Sequence, residues 1–421
     1  MTSEFKSHRV RIHILLVVTI FAIGIFLRLP WEAFSVGAPL NSIARFHPQP
    51  AYDQMGMDEG LYRDYVNALS NDGLSSYPEF VEAYILAQKE RPGSILPPVR
   101  FLYIFAGYTW HSIFGVESLQ ALRQTASLFS ILTLALSSVF AWRLRGPTWA
   151  LAVAALMACA PTQLHMSQHA FVDGFFTFWA LLVLWLLWEN LRAPREWRWL
   201  LAYIIALTLL VLTKENSFFV WVGVVVLIVV NHWLRFGIVT RELVVATAVG
   251  PLLGVVILGF LAGGLDVLLE TYRLSVSKNF ALEYAILTGD GPWYRYLVDI
   301  LLVSPIILML AVATICRLNR GMKPELFFAV FIAASYVVMC NVKYGMNLRY
   351  AIMWDMPLRF LAVSCLMSLV RPLSKHQNAI FGLAVAAICA IELRDYIILA
   401  VRFPLYELVS EALLRALHIL K

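Results

Sequence analysis

The residues best suited to chemistry in this sequence are ionisable groups set among apolar ones. Asp58 and Glu59 are neighbours in AYDQMGMDEGLYRDYV, residues 51–66, which also carries Asp53 and Asp64 against the single Arg63. A carboxylate held beside a leaving group can act as a general base on an acceptor hydroxyl or amine. The local alternative is that Asp58 N-caps a helix beginning near Glu59, whose apolar face is Leu61, Tyr62, Tyr65 and Leu69. On these residues alone, capping or plain solvation is the stronger reading.

Three later clusters carry comparable groups. Asp173 opens an apolar helix in APTQLHMSQHAFVDGFFTFWALL, behind His165 and His169. An N-cap and an (i, i+4) pair of His169 with Asp173 would explain them without catalysis. The two histidines lack a third ligand, so no metal site is read here. In LLVLTKENSFFV, Lys214 either meets the carbonyl end of its helix and pairs with Glu215, or holds a phosphate as a point charge. In NVKYGMNLRYAIMW, Arg349 suits bidentate phosphate recognition, with Lys343 and Tyr350 beside it. These residues equally suit an interfacial anchor, with Tyr344 and Tyr350 in an aromatic belt. Arg91 and Arg100 around PGSILPP, and Tyr294 between Trp293 and Arg295, belong to the same class.

The elements that must position these groups are apolar helices. The chain has 421 residues, 60% of them hydrophobic and 14% charged, with a mean hydropathy of +0.74. A soluble domain is nearer half apolar and a quarter charged, so the composition indicates an all-α polytopic membrane protein. Apolar runs place about eleven spans near 12–30, 119–142, 147–161, 172–191, 199–213, 216–234, 242–262, 297–316, 325–340, 351–370 and 377–400. The run at 147–161 is short for a perpendicular span. The basic N-terminus lacks a small-residue cleavage site, so 12–30 reads as a retained span. The five cysteines lie in or beside apolar runs, which predicts no disulfide framework.

Loop charges decide the topology. Segment 97–115 is apolar enough to cross, yet it contains Arg100 and His111. Reading it as a juxtamembrane helix places Arg143/Arg145, Arg192/Arg195/Arg198, Arg235/Arg241, Arg317/Arg320/Lys323 and Arg371/Lys375 on the cytoplasmic side with the N-terminus. The net charge of +6 is then a positive-inside signal rather than a nucleic-acid footprint. The same parity puts the two long polar stretches, 31–98 and 263–295, outside. The chain thus reads as a single membrane domain over 1–421, with an amphipathic surface helix at 402–421. Every candidate cluster falls on the outer face, where intramembrane or interfacial ionisable groups point to function.

In order along the chain, these motifs resemble the GT-C glycosyltransferases, in particular the protein O-mannosyltransferase and lipid A aminoarabinose transferase group. The matching residues are Met57-Asp58-Glu59-Gly60 after the first span, then Pro97-Pro98, Leu102-Tyr103, Phe114-Gly115 and Arg123. Pro161, Ser167 and Asp173 follow, then Leu212-Thr213-Lys214, Pro292-Trp293-Tyr294, Pro305 and Arg349-Tyr350. The resemblance implies a polyprenyl-phosphate-linked sugar donor, transfer with inversion on the extracytoplasmic side of the inner (plasma) membrane, and no metal or other cofactor. It implies Asp58 as base, with Glu59 positioning the acceptor or tuning Asp58. Lys214, Arg349, Arg91 and Arg100, with Tyr294, Lys343 and Tyr350, would hold the donor phosphate and lipid. His165, His169 and Asp173 would support the first loop. The acceptor would be a lipid, glycan or protein. The rival classes are a membrane transporter and a lipid-linked glycan ligase or polymerase; the absence of internal repeats and the placing of ionisable groups at span ends weigh against transport.

Overall fold

The computed structural model describes residues 3–48 and 55–403. Asp53 and the segment 404–421, which contains most of the expected surface helix, lie outside the described residues. Helix α1 (Ser3–Arg28) leads through two short 3-10 turns to α2 (Met57–Asp72), α3 (Tyr77–Glu90) and α4 (Phe101–Phe114). Next come α5 (Ser118–Arg145), α6 (Pro147–Ala158), α7 (Pro161–Gln168), α8 (Val172–Arg192), α9 (Trp197–Thr213), α10 (Ser217–Leu234) and α11 (Arg241–Leu261). The second polar stretch holds α12 (Leu265–Asn279) and α13 (Glu283–Thr288). The chain continues through α14 (Arg295–Val303), α15 (Pro305–Ile315), α16 (Lys323–Met339), α17 (Asp355–Val370) and α18 (Gln377–Tyr396). No β-strand occurs among the described residues.

Each of the expected span regions contains helix, but several are divided. Among the described residues, five helical segments are long and apolar enough to cross a bilayer unaided, and the bent α6–α7 pair makes a sixth if it is one span. The bend of 56° falls where Pro161 follows Cys159 and Ala160. Proline fits the first turn of a helix but disfavours helical backbone before it, which is why 147–161 reads as a short span. Ser304-Pro305 divides 297–316 into α14 and α15 in the same way.

Buried polar groups complete the broken helices. Arg28, fully buried, donates to the carbonyls of Met157 at 2.6 Å and Ala158 at 3.0 Å in the last turn of α6. Arg359 of α17 pairs with Glu392 of α18 at 2.5 Å and with Asp355 at 3.0 Å, and donates to the Leu156 carbonyl at 3.1 Å. Elsewhere the packing is close. On α11, a Cβ at Gly250 or Gly254 would lie 2.7 Å from Leu207 or Val211 of α9, so the G-x-x-x-G pattern sets how near the two helices run.

The loops over one end of the bundle have their own core. Tyr62, Tyr65, Val66 and Leu69 of α2 pack with Val81 of α3, Tyr103 and Ile104 of α4, and Leu122, Val172, Phe175 and Leu212 from the bundle. The Tyr77 hydroxyl donates to the Pro98 carbonyl at 2.5 Å, and Gln88 bonds the backbone at Gly93 and Ile95 at 2.9 and 2.8 Å. Those bonds fix the segment that ends in Arg100. At the opposite end, Arg143 pairs with Glu189 at 2.8 Å and Arg145 with Glu325 at 2.6 Å, so the basic span ends are neutralised in part by carboxylates on α8 and α16.

Candidate active site

A cavity of about 620 Å³ opens between the first-loop helices, α10, α12 and the segment 342–350. Asp58, Tyr62, Arg100, Asp173, Lys214, Glu215, Arg349 and Tyr350 are among the residues that line it. Leu61, Phe218, Phe219, Val276, Leu282 and Met346 add apolar surface. Residues from six separate sequence regions therefore share one hollow.

Asp58 is in the first turn of α2 but does not cap it. The cap is Gly56, which has no side chain to contribute; the Glu59 carboxylate instead accepts from the Gly56 N–H at 3.0 Å. Capping thus falls to Glu59, and the Asp58 carboxylate is directed into the cavity, where it accepts from Arg349 Nη1 at 2.9 Å. Arg349 also stacks over the Phe171 ring at 5.0 Å.

Glu59 does not line the cavity and is 1% exposed. It accepts from the Ala170 N–H at 2.8 Å and from Arg123 Nε at 3.3 Å, with His169 Nδ1 at 3.5 Å. Burial raises its pKa, but His169, Arg123 and the Ala170 amide outweigh burial and hold the carboxyl at about 2. Arg123 extends the network to Glu32 at 2.7 Å. Glu59 therefore ties the first loop to α5 and to the turn before α8. His169 meets Glu59 and not Asp173, so the expected (i, i+4) pair does not form in the described contacts.

Lys214 follows the last turn of α9 and pairs with Asp173 at 2.5 Å, with its ammonium 4.1 Å from the centre of the Tyr350 ring. Its expected partner Glu215 instead accepts from Arg100, through Nε at 3.1 Å and through Nη2. Neighbouring backbone directions separate the two: Lys214 turns inward to α8, and Glu215 turns to the start of α4. Burial lowers the Lys214 pKa and Asp173 only partly offsets it, while Arg100 lowers it further. The Glu215 carboxyl is held below its ordinary range by Arg100 despite burial. Arg100 also donates to the Tyr62 hydroxyl at 2.7 Å.

The structure thus brings together Asp58, Arg100, Asp173, Lys214, Arg349 and Tyr350. Tyr350 lies under Lys214 rather than in an aromatic belt. Arg91 is exposed at the end of α3, Lys343 is exposed over the Tyr344 ring, and Tyr294 packs edge-on against Trp293; none of these lines the cavity. His165 is set behind His169, with ring centroids 4.6 Å apart, and does not line it either. Glu215 as the counter-ion of Arg100, with Tyr62 and Phe171 as cavity walls, escaped the sequence reading, because helix-end residues adjacent in sequence look like partners of each other. No group of three or more His, Cys, Asp or Glu that could hold a metal ion occurs among the described residues.

A family model described as dolichyl-phosphate-mannose-protein mannosyltransferase matches residues 98–262. The chain is similar in structure to ArnT from Cupriavidus metallidurans bound to undecaprenyl phosphate, with a TM-score of 0.55 and 19% identity over 89% of this chain and 63% of that one. The chain has the GT-C fold. The apo state of the same ArnT gives a TM-score of 0.54 at 17% identity, over 91% of this chain and 64% of that one. The oligosaccharyltransferase AglB from Archaeoglobus fulgidus, in complex with an inhibitory peptide and a dolichol-phosphate, gives 0.56 at 14% identity, over 95% of this chain and 55% of that one. This GT-C chain therefore spans between 55% and 64% of the length of these three proteins. No curated protein matches the sequence. The helices, the apolar segments and the GT-C fold together make it a multi-pass membrane protein.

Proposed function

We propose that this protein transfers a sugar from a polyprenyl-phosphate-linked donor to an acceptor on the extracytoplasmic side of the membrane, with inversion and with Asp58 as general base. The observation that carries the reading is the shared cavity, where the Asp58 carboxylate shares one hollow with the cations Arg100, Lys214 and Arg349. Proton removal from the acceptor and charge growth on a departing phosphate need those two kinds of group together. The apolar wall of the cavity suits the first isoprene units of the donor. The family-model match and the relatives solved with undecaprenyl phosphate or dolichol-phosphate support this donor class.

In this reading the acceptor attacks the anomeric carbon opposite the phosphate, Asp58 takes its proton, and the phosphate leaves toward Arg349 and Lys214. Arg100 supplies a further positive charge held rigidly by Glu215 and Tyr62. Glu59 acts at one remove, by fixing the α2 turn on which Asp58 sits. Arg91, Lys343 and Tyr294 are placed for the membrane interface beyond the cavity, where the donor's lipid would approach. The N-terminus is cytoplasmic and the cavity opens to the outside of the plasma membrane. The acceptor is a lipid, a glycan or a protein.

The test is incubation of purified protein and membranes with a panel of radiolabelled polyprenyl-phosphate sugars, with the labelled product identified. Label transfer by the wild type and none by Asp58→Asn supports the reading. A wild-type protein inert toward every donor, or an Asp58→Asn variant of full activity, overturns it. Movement of an unmodified solute or lipid across vesicles would favour the transporter instead.

A further inference from the structure

The cavity holds three ion pairs, and they differ in how firmly each is closed. Lys214 and Asp173 are sealed, with side chains 1% and 3% exposed. Arg100 is 6% exposed and is held by both oxygens of Glu215, itself 38% exposed, and by the Tyr62 hydroxyl. Arg349 is the most exposed of the three cations, at 11%, and is joined to Asp58, 28% exposed, through one Nη1–Oδ2 bond. Their charges cancel, so an arriving anion meets no net positive field from this pair until it is opened.

We propose that Arg349 is a positioning residue that acts through Asp58: the donor's phosphodiester takes Arg349 over from the carboxylate, freeing Asp58 for the acceptor only once donor is bound. This rests on the donor class proposed above. A guanidinium fork matches phosphate oxygens as well as carboxylate oxygens, so the exchange replaces one charge-assisted bond with another. A carboxylate engaged by an arginine has a lone pair committed, and protonating it would leave the guanidinium uncompensated. The pairing therefore keeps the base quiet in the empty site, and the exchange releases it.

The chemistry then balances. The acceptor oxygen or nitrogen bonds to the anomeric carbon while the bond from that carbon to the phosphate oxygen breaks with its electron pair. The acceptor proton passes to Asp58, which becomes neutral, and the lipid phosphate gains one negative charge opposite Arg349.

Exchange makes Asp58 a competitor of the phosphate, which a purely structural pair is not. The experiment measures binding of undecaprenyl phosphate to the detergent-purified full chain, for wild type, Asp58→Asn, Arg349→Ala and the double variant. Asp58→Asn is expected to bind about tenfold more tightly, about 1.4 kcal/mol. Arg349→Ala is expected to bind at least tenfold more weakly, and adding Asp58→Asn to it should change nothing further. Arg349→Lys should recover part of the affinity. Unchanged or weaker binding by Asp58→Asn, with wild type binding normally, overturns the exchange while leaving the donor class standing. No binding by wild type overturns the donor class and the exchange with it. Asp58→Ser provides the same readout should the Asn variant fail to fold.

Discussion

Asp58 and Arg349 stand 291 positions apart in sequence and are joined by a 2.9 Å hydrogen bond in the lining of one cavity. The first loop after α1 and the turn before α17 thereby meet at the site of the proposed chemistry. Removing the carboxylate without changing its shape is the sharpest probe. Asp58→Asn is expected to lower turnover by a factor on the order of 10² to 10⁴, the usual worth of a positioned general base. Turnover and thermal unfolding should be followed together; the fold should be retained, because Glu59 rather than Asp58 completes the start of α2.

Lys214 needs a test that separates phosphate binding from structure. Lys214→Met strands the Asp173 carboxylate, which is 3% exposed, and the loss of one partner of a buried pair costs about 3–5 kcal/mol. Adding Asp173→Asn removes the stranded charge and should restore most of the unfolding temperature. Sugar transfer should stay lost in the double variant. Recovery of transfer along with stability would make Lys214 a structural residue only.

Glu59 gives the first loop an acid limit. Its folded-state carboxyl is held at about 2, below the ordinary value of 4.5. A depressed carboxyl contributes stability that is fully present above the unfolded value and is lost as pH falls through the folded one. Docking of α2 on α5 and the turn before α8 should therefore weaken between pH 4.5 and about 2. Protease protection of the loop over that range checks this, and Glu59→Gln should remove that share of the acid sensitivity.

Topology can be read from thiols. Val36, 96% exposed in the first polar stretch, should react as Val36→Cys with an impermeant maleimide applied to intact cells. The exposed native Cys316, after α15, should react only once the membrane is opened. The reverse pattern would invert the proposed orientation.

The α9–α11 contact predicts a stability effect away from the cavity. At Gly254 a new Cβ would be 2.7 Å from Val211 Cβ and 3.0 Å from the Thr208 carbonyl oxygen. Gly254→Leu should lower the unfolding temperature by driving the helices apart, with a cost of about 1–3 kcal/mol as for other overpacked sites. An unchanged unfolding temperature would mean that α11 shifts freely along α9.

The sequence by itself determined what depends on local composition. A bilayer core demands long apolar segments with internally satisfied backbone, so the helical regions stood out from hydropathy. So did the two polar stretches between them. Asp58, Lys214 and Arg349 could be singled out for the same reason, because ionisable groups beside apolar helices are costly unless used. Only the tertiary structure decided who faces whom. Nothing in the order of Lys214 and Glu215 says that one turns to Asp173 and the other to Arg100. Nothing near Glu59 says that it caps its helix and leaves Asp58 to the cavity, because its other partners come from residues 123, 169 and 170. The breaks at Pro161 and Pro305 were visible as prolines, but not that Arg28 donates to the last carbonyls of α6 or that the Ser304 hydroxyl donates to Glu392. Pairing between distant segments is fixed by packing of whole helices, and that is a property no local stretch contains.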